Sequence, residues 1–288
     1  MNRRRRWYGV AAAIVVAAGV WWLAAGGTDR HAAAPPGAAV RLPRRVSHAG
    51  SAPHAGSAHQ ARSAPQAGSA PRNRSVLLGR SARGRPITGV ELGDPRLPTG
   101  LLVVGCIHGN ECAGTAVARL VEAHPPPRVH AWVIEDLNPD GRAADTRANA
   151  QRVDLNRNFP WRWQPLSLAS GQYSGPRALS APESRIAYSL IQRVRPRVSV
   201  WFHQPLGVVD ESGGDLNVER RFALLAGMPL RRLTRYPGSA TGWEDRHLPG
   251  TTAFVVELSA GRLAPATARR LAQALRTLVE RSSPAAHG

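Results

Sequence analysis

Apolar residues are patterned in two different ways along this chain, and the change comes near residue 75. Beyond it, short apolar runs alternate with segments in which apolar residues return every three or four positions. The runs at 75–78, 87–92, 101–106, 129–135, 198–202 and 253–258 predict strands. The segments at 113–123, 181–194, 216–226 and 265–280 predict helices. Pro182 followed by Glu183 suits the first turn of the second of these helices. Strands interleaved with helices predict the α/β class, with a mixed and mostly covered sheet. Ligands of such sheets sit at the carboxyl ends of strands.

Before residue 75 neither period is found. Residues 7–28 carry no charge and follow Arg3–Arg6. The run approaches the roughly 17–25 residues of a spanning helix and exceeds the 7–15 or so of most signal-peptide cores. Four arginines hold its start in the cytoplasm, and Trp21 and Trp22 suit the far interface. We read 1–27 as an uncleaved membrane anchor; a cleaved signal would make the protein secreted. Either way the remainder lies outside the cytoplasm. Residues 28–74 are rich in Ala, Pro, Gly, Ser and His, and a hexapeptide recurs there as AGSAPH, AGSAHQ, ARSAPQ and AGSAPR. With so few large apolar groups the segment cannot offset its chain entropy and is expected to be a disordered spacer. His48, His54 and His59 are read as solvated linker residues. The folded domain is expected at 75–288.

The net charge of +19 comes entirely from arginine among the basic residues. Such a bias reads as coding composition, with attraction to an anionic surface as the functional alternative. Nothing resembles a zinc finger or an RNA-binding module, so no nucleic-acid partner is expected. Cys106 and Cys112 are too few for a disulfide framework and read as buried thiols, a local bridge being the alternative in an oxidising compartment.

Candidate chemistry gathers at the strand ends. The run 101–106 leads into His108 and Glu111, an imidazole and a carboxylate three residues apart. Zn²⁺ takes both ligand types in catalytic sites. The motif alone is weak, since most such pairs lie on surfaces. A third ligand could be His203, which ends the run 198–202, although a histidine there could also be a satisfied core residue. A two-His, one-carboxylate zinc site would acidify a water and need a carboxylate base beside it. Glu257, between Val256 and Leu258, is costly to bury without a role or a salt-bridge partner. Arg147 and Arg157 stand near polar amides and suit a carboxylate or an oxyanion. The sequence Asn138-Pro139-Asp140-Gly141 predicts a tight turn, and Gly109 an unusual backbone between the two candidate ligands.

IHGNE, NPDG, TRANA, VDLNRNFP, YSGP, FHQP and VEL occur in this order, preceded by the hairpin-like GRSARGRPI. From about residue 78 to 278 the chain resembles the zinc metallocarboxypeptidases, and within them the murein peptide amidase branch, which cleaves γ-D-glutamyl-meso-diaminopimelate. The resemblance implies an α/β/α sandwich around a sheet of about eight strands. It implies one zinc ion held by His108, Glu111 and His203, with Glu257 as general acid/base and Arg147 polarising the scissile carbonyl. Asn156 and Arg157 would hold the substrate's terminal carboxylate. Tyr236 falls near the family's mobile tyrosine, in a loop that reads shorter here. Gln151-Arg152 stands where a glycine is expected, which bears on local loop shape. The expected protein is a monomeric, membrane-tethered peptidase acting on peptidoglycan stem peptides. The alternatives are a general carboxypeptidase, an aspartoacylase-like deacylase and a wall-binding module without catalysis.

Overall fold

A computed structural model describes residues 73–211, 213–233 and 236–280. The expected anchor at 1–27, and the expected spacer up to residue 72, lie outside the described residues. Among those described, no helix is long and apolar enough to cross a membrane. In chain order the elements are β1 (Arg74–Arg80), β2 (Pro86–Leu92), β3 (Thr99–Val104), α1 (Thr115–Ala123), β4 (His130–Ile134), α2 (Pro139–Ala144) and α3 (Pro182–Val194). They continue with β5 (Val198–His203), β6 (Leu206–Asp210), α4 (Leu216–Ala226), β7 (Leu230–Arg231), α5 (Ala240–His247), β8 (Thr252–Ser259) and α6 (Pro265–Glu280).

The strands form one mixed sheet in the order β1-β2-β4-β3-β5-β8-β6-β7. The central four, β4, β3, β5 and β8, are parallel, and antiparallel strands join them on both sides. Alternation along each central strand feeds two separate cores, because successive side chains point to opposite faces. Leu101 and Val103 of β3, with Val200 and Phe202 of β5, pack against α1, α4 and α6. Leu102, Val104 and Trp201 face the other way, against α3, α5 and the segment around Phe159. Burial on both faces explains why these strands read as continuous apolar runs.

All six expected strands and all four expected helices are present, with ends that shift by one or two residues. Four elements differ from expectation. Asn138-Pro139-Asp140-Gly141 opens a short helix, α2, instead of a plain turn; Asn138 caps it by accepting the Gly141 N–H at 3.0 Å. β6 and β7 are short and flank polar loops. Helix α5 carries Trp243 as its one large apolar side chain, so no helical apolar period marks it.

Helix α5 also buries an acid completely. Glu244 accepts the indole N–H of Trp201 at 2.7 Å. Burial, with Asp245 alongside, pushes its pKa up to about 8. The folded state therefore keeps a proton that the unfolded chain, near 4.5, releases. The stabilisation is complete below about pH 4.5 and is lost as pH rises toward 8. Glu244→Gln removes this titration. Its Tm relative to the parent should rise steadily across that window in thermal melts, and a constant difference would refute a protonated buried acid.

Candidate metal centre and active site

The site forms where β3, β5 and β8 end together. His203 is the last residue of β5 and pairs in register with Glu257 of the parallel strand β8. His108 follows the end of β3 by four residues, and Glu111 lies in the turn beyond it. Gly109 sits between them for a reason other than the expected one. Its φ is not left-handed; instead, a Cβ there would overlap the backbone of Gly141 and Arg142, so only glycine lets this turn lie against α2. The turn also closes a disulfide between Cys106 and Cys112, with Cα atoms 4.6 Å apart, which corrects the expectation of two thiols. Strand β3 ends at Val104, and the tight turn brings the two cysteines within bridging range.

Three donor atoms converge. His108 Nδ1 lies 2.9 Å from Glu111 Oε2 and 3.1 Å from His203 Nδ1, and His203 Nδ1 lies 3.1 Å from Glu111 Oε2. A tetrahedral zinc with bonds near 2.0–2.1 Å separates its ligand atoms by about 3.3 Å. The set matches that spacing to within a few tenths of an ångström. Two ring nitrogens facing each other cannot both be satisfied as acceptors without a cation between them, so the donor chemistry fits zinc as well as the spacing does. His203 is buried, which pulls its pKa down to about 4 and favours the neutral, ligating imidazole.

Behind the ligands stands Asp154, a residue whose role sequence reasoning missed. It is fully buried and accepts His108 Nε2 at 3.0 Å, the Asn156 N–H at 3.0 Å and Arg147 Nε at 2.8 Å. Burial opposes its ionisation, but His108, Arg147 and Arg157 outweigh burial and hold it far below the usual carboxylate range. Accepting from His108 Nε2–H leaves Nδ1 as the lone-pair nitrogen. A signal was present: Asp154 lies between Val153 and Leu155, the same acid-between-apolar pattern that singled out Glu257.

The remaining expected residues are brought to the same place. Arg147 also reaches Glu111 Oε1 at 2.7 Å. A cavity of about 500 Å³ is lined by Arg147, Asn156, Arg157, His203, Tyr236 and Glu257, among others. Asn156 Oδ1 accepts the Ala240 N–H at 3.0 Å, while its amide nitrogen lies 3.5 Å from His203 Nε2. Arg157 donates to Gln172 Oε1 at 3.0 Å and its guanidinium stacks 4.0 Å above the Tyr236 ring. Glu257 Oε2 is buried with no hydrogen-bond partner. Burial and the nearby Glu111 charge raise its pKa, which suits a group that takes up and releases a proton.

The family description "zinc carboxypeptidase" matches residues 127–208, a span that contains Arg147, Asn156, Arg157 and His203. The murein peptide amidase A of Vibrio campbellii is 30% identical over 199 residues, covering 63% of this chain and 79% of that protein. The murein peptide amidase A of Escherichia coli K12 is 33% identical over 151 residues, covering 46% and 60%. Among solved structures, the murein-tripeptide amidase of Escherichia coli O157 superimposes with a TM-score of 0.57 at 24% identity, covering 74% of this chain and 98% of that one. Carboxypeptidase A of Helicoverpa armigera gives 0.63 at 16% identity, covering 75% and 70%. At such identities the structural likeness speaks for the fold.

Metal analysis of the purified protein should give one zinc per chain. His108→Ala should lose stoichiometric zinc; full occupancy in that variant would sink the ligand assignment. Asp154→Asn should keep the ligands but weaken zinc affinity by roughly 10–100-fold, measured by chelator competition.

Proposed function

The chain belongs to the zinc carboxypeptidase family and is a hydrolase; from that premise we propose that it cleaves the γ-D-glutamyl–diaminopimelate bond of peptidoglycan stem peptides. One observation carries the proposal. The donor atoms of His108, Glu111 and His203 converge, and His203 lines the same cavity as Glu257, Arg147 and the Asn156–Arg157 pair. The names of the murein peptide amidase relatives support the substrate class.

The leaving residue lies in the 500 Å³ cavity with its free carboxylate on Asn156 and Arg157. Diaminopimelate carries such a carboxylate next to the cleaved bond. Arg147 faces the scissile carbonyl and steadies the charge that develops on its oxygen. His108, Glu111 and His203 would hold zinc, which would supply Lewis acidity and an acidified water at neutral pH. Glu257 takes the proton from the attacking water and returns it to the leaving amine. Tyr236 covers the Arg157 side of the cavity. As a further part of the proposal, residues 1–27 tether the enzyme so that this domain works outside the cytoplasm.

Incubation of the purified chain with defined muropeptides, read by mass spectrometry, should release diaminopimelate-containing products from L-Ala-γ-D-Glu. Loss of only a C-terminal residue from ordinary peptides would favour a general carboxypeptidase. Glu257→Gln should keep its zinc and lose about 10²–10⁴-fold in kcat; near-normal turnover would rule out the proton shuttle. Arg157→Ala removes a charge-assisted contact worth roughly 2–5 kcal/mol in a closed site. Its kcat/KM should fall by at least about a hundredfold. Amidating the substrate carboxylate should cost the parent as much and the variant little more. Added protease should remove the domain from intact spheroplasts, and protection until lysis would refute the outward placement.

A further inference from the structure

Beside the metal-site cavity lies a second one of about 410 Å³, and the two share Arg147 and Gly171 along their walls. Arg83 and Arg152 also line it. They come from separate loops, one between β1 and β2 and the other ahead of Val153. A single buried carboxylate fastens both loops. Glu183, wholly inaccessible at the start of α3, accepts the Ala82 N–H at 2.9 Å through one oxygen and the Asn149 amide at 2.7 Å through the other. The first loop is pinned again where Asp140 accepts the Arg83 N–H at 2.9 Å. The second is closed by Asn149, whose side-chain oxygen accepts the N–H groups of Gln151 and Val153, each at 3.0 Å.

At Arg152 the backbone is left-handed, with φ of 62°. Gln151-Arg152 stands where the resemblance leads one to expect glycine, and the left-handed conformation is strained for an L side chain. Arg128, Arg162 and Arg195 share the conformation, so it does not by itself indicate a site. Arg152 differs in lining a cavity next to the candidate active site, together with a second arginine on a loop fixed by the same glutamate. Both guanidinium groups are on exposed residues, and no ion pair joins either to an acid among the described residues.

We propose that this second cavity is the subsite for the acyl side of the substrate, and that Arg83 and Arg152 select an acyl residue carrying a free carboxylate. The inference rests on the reading above, in which the leaving residue fills the first cavity and the scissile carbonyl faces Arg147. The two cavities meet at Arg147, so on that reading the chain on the other side of the carbonyl passes Arg147 into the second cavity. A γ-linked glutamyl residue brings its α-carboxylate there; an ordinary α-linked, apolar residue brings none.

The test compares two tripeptides, L-Ala-γ-D-Glu-diaminopimelate and its D-isoglutamine counterpart, in which a carboxamide replaces that carboxylate. The full-length parent should prefer the acid by about tenfold or more, the scale of one or two charged hydrogen bonds at a partly exposed site. Arg83→Ala and Arg152→Gly should each lower the ratio of kcat/KM values, and the double variant should bring it near one. Arg152→Gly relieves the left-handed backbone, so its Tm should hold or rise, and a lost preference cannot be assigned to misfolding. Equal cleavage of the two tripeptides by the parent, or a preference kept in the double variant, overturns the subsite and leaves the proposed reaction standing. A parent that cleaves neither but trims ordinary peptides overturns the proposed substrate, and the subsite with it.

Discussion

Asp154 is the buried charge around which the site is assembled. Taking a carboxylate out of water costs several kcal/mol unless it is paired and hydrogen-bonded. Here one oxygen accepts from His108 and from the Asn156 backbone, and the other accepts from Arg147. In the proposed reaction those partners serve three different functions: holding the metal, binding the leaving carboxylate and polarising the carbonyl. Their relative positions are thus fixed through one group. The two histidines of the candidate metal centre sit on segments 95 residues apart, and without such a hub, small shifts of either segment would open the donor set.

The sheet supplies the other constraint. Parallel strands end on the same side, so His203 and Glu257 are brought level by register alone. The candidate ligand and the proposed proton carrier thereby stand side by side without any loop having to place them. The loops add what the sheet cannot. Close packing at Gly109 against α2 turns His108 and Glu111 back toward β5. Gly238, left-handed and packed onto the backbone of Arg157, keeps the segment bearing Tyr236 against that arginine.

Charge is divided across the molecule in a way that suits the elongated, anionic substrate proposed above. Arg147 stands between two cavities, each with arginine on its wall. Buried acids, namely Asp140, Asp154 and Glu183, are spent on holding the loops that display these arginines. The acids are satisfied by backbone and amide donors as well as by cations, so part of the positive charge remains directed toward the cavities.

The sequence by itself determined the class and most elements, and it named the candidate residues that the fold brings together. Apolar runs bounded by polar turns reveal buried parallel strands because both faces are covered, and a charged residue at the end of such a run is conspicuous, as with His203 and Glu257. It did not reveal α5, whose burial depends on one tryptophan and a buried glutamate, nor α2, whose cap looks like a turn until Asn138 is seen holding Gly141. It did not give Asp154 its role, because a hydrogen-bond hub is defined by partners 7 and 46 residues away. The disulfide and the second cavity were decided by tertiary structure as well. Local pattern encodes what each residue prefers; only packing decides which distant loops share one buried carboxylate, since that contact has no period or spacing along the chain.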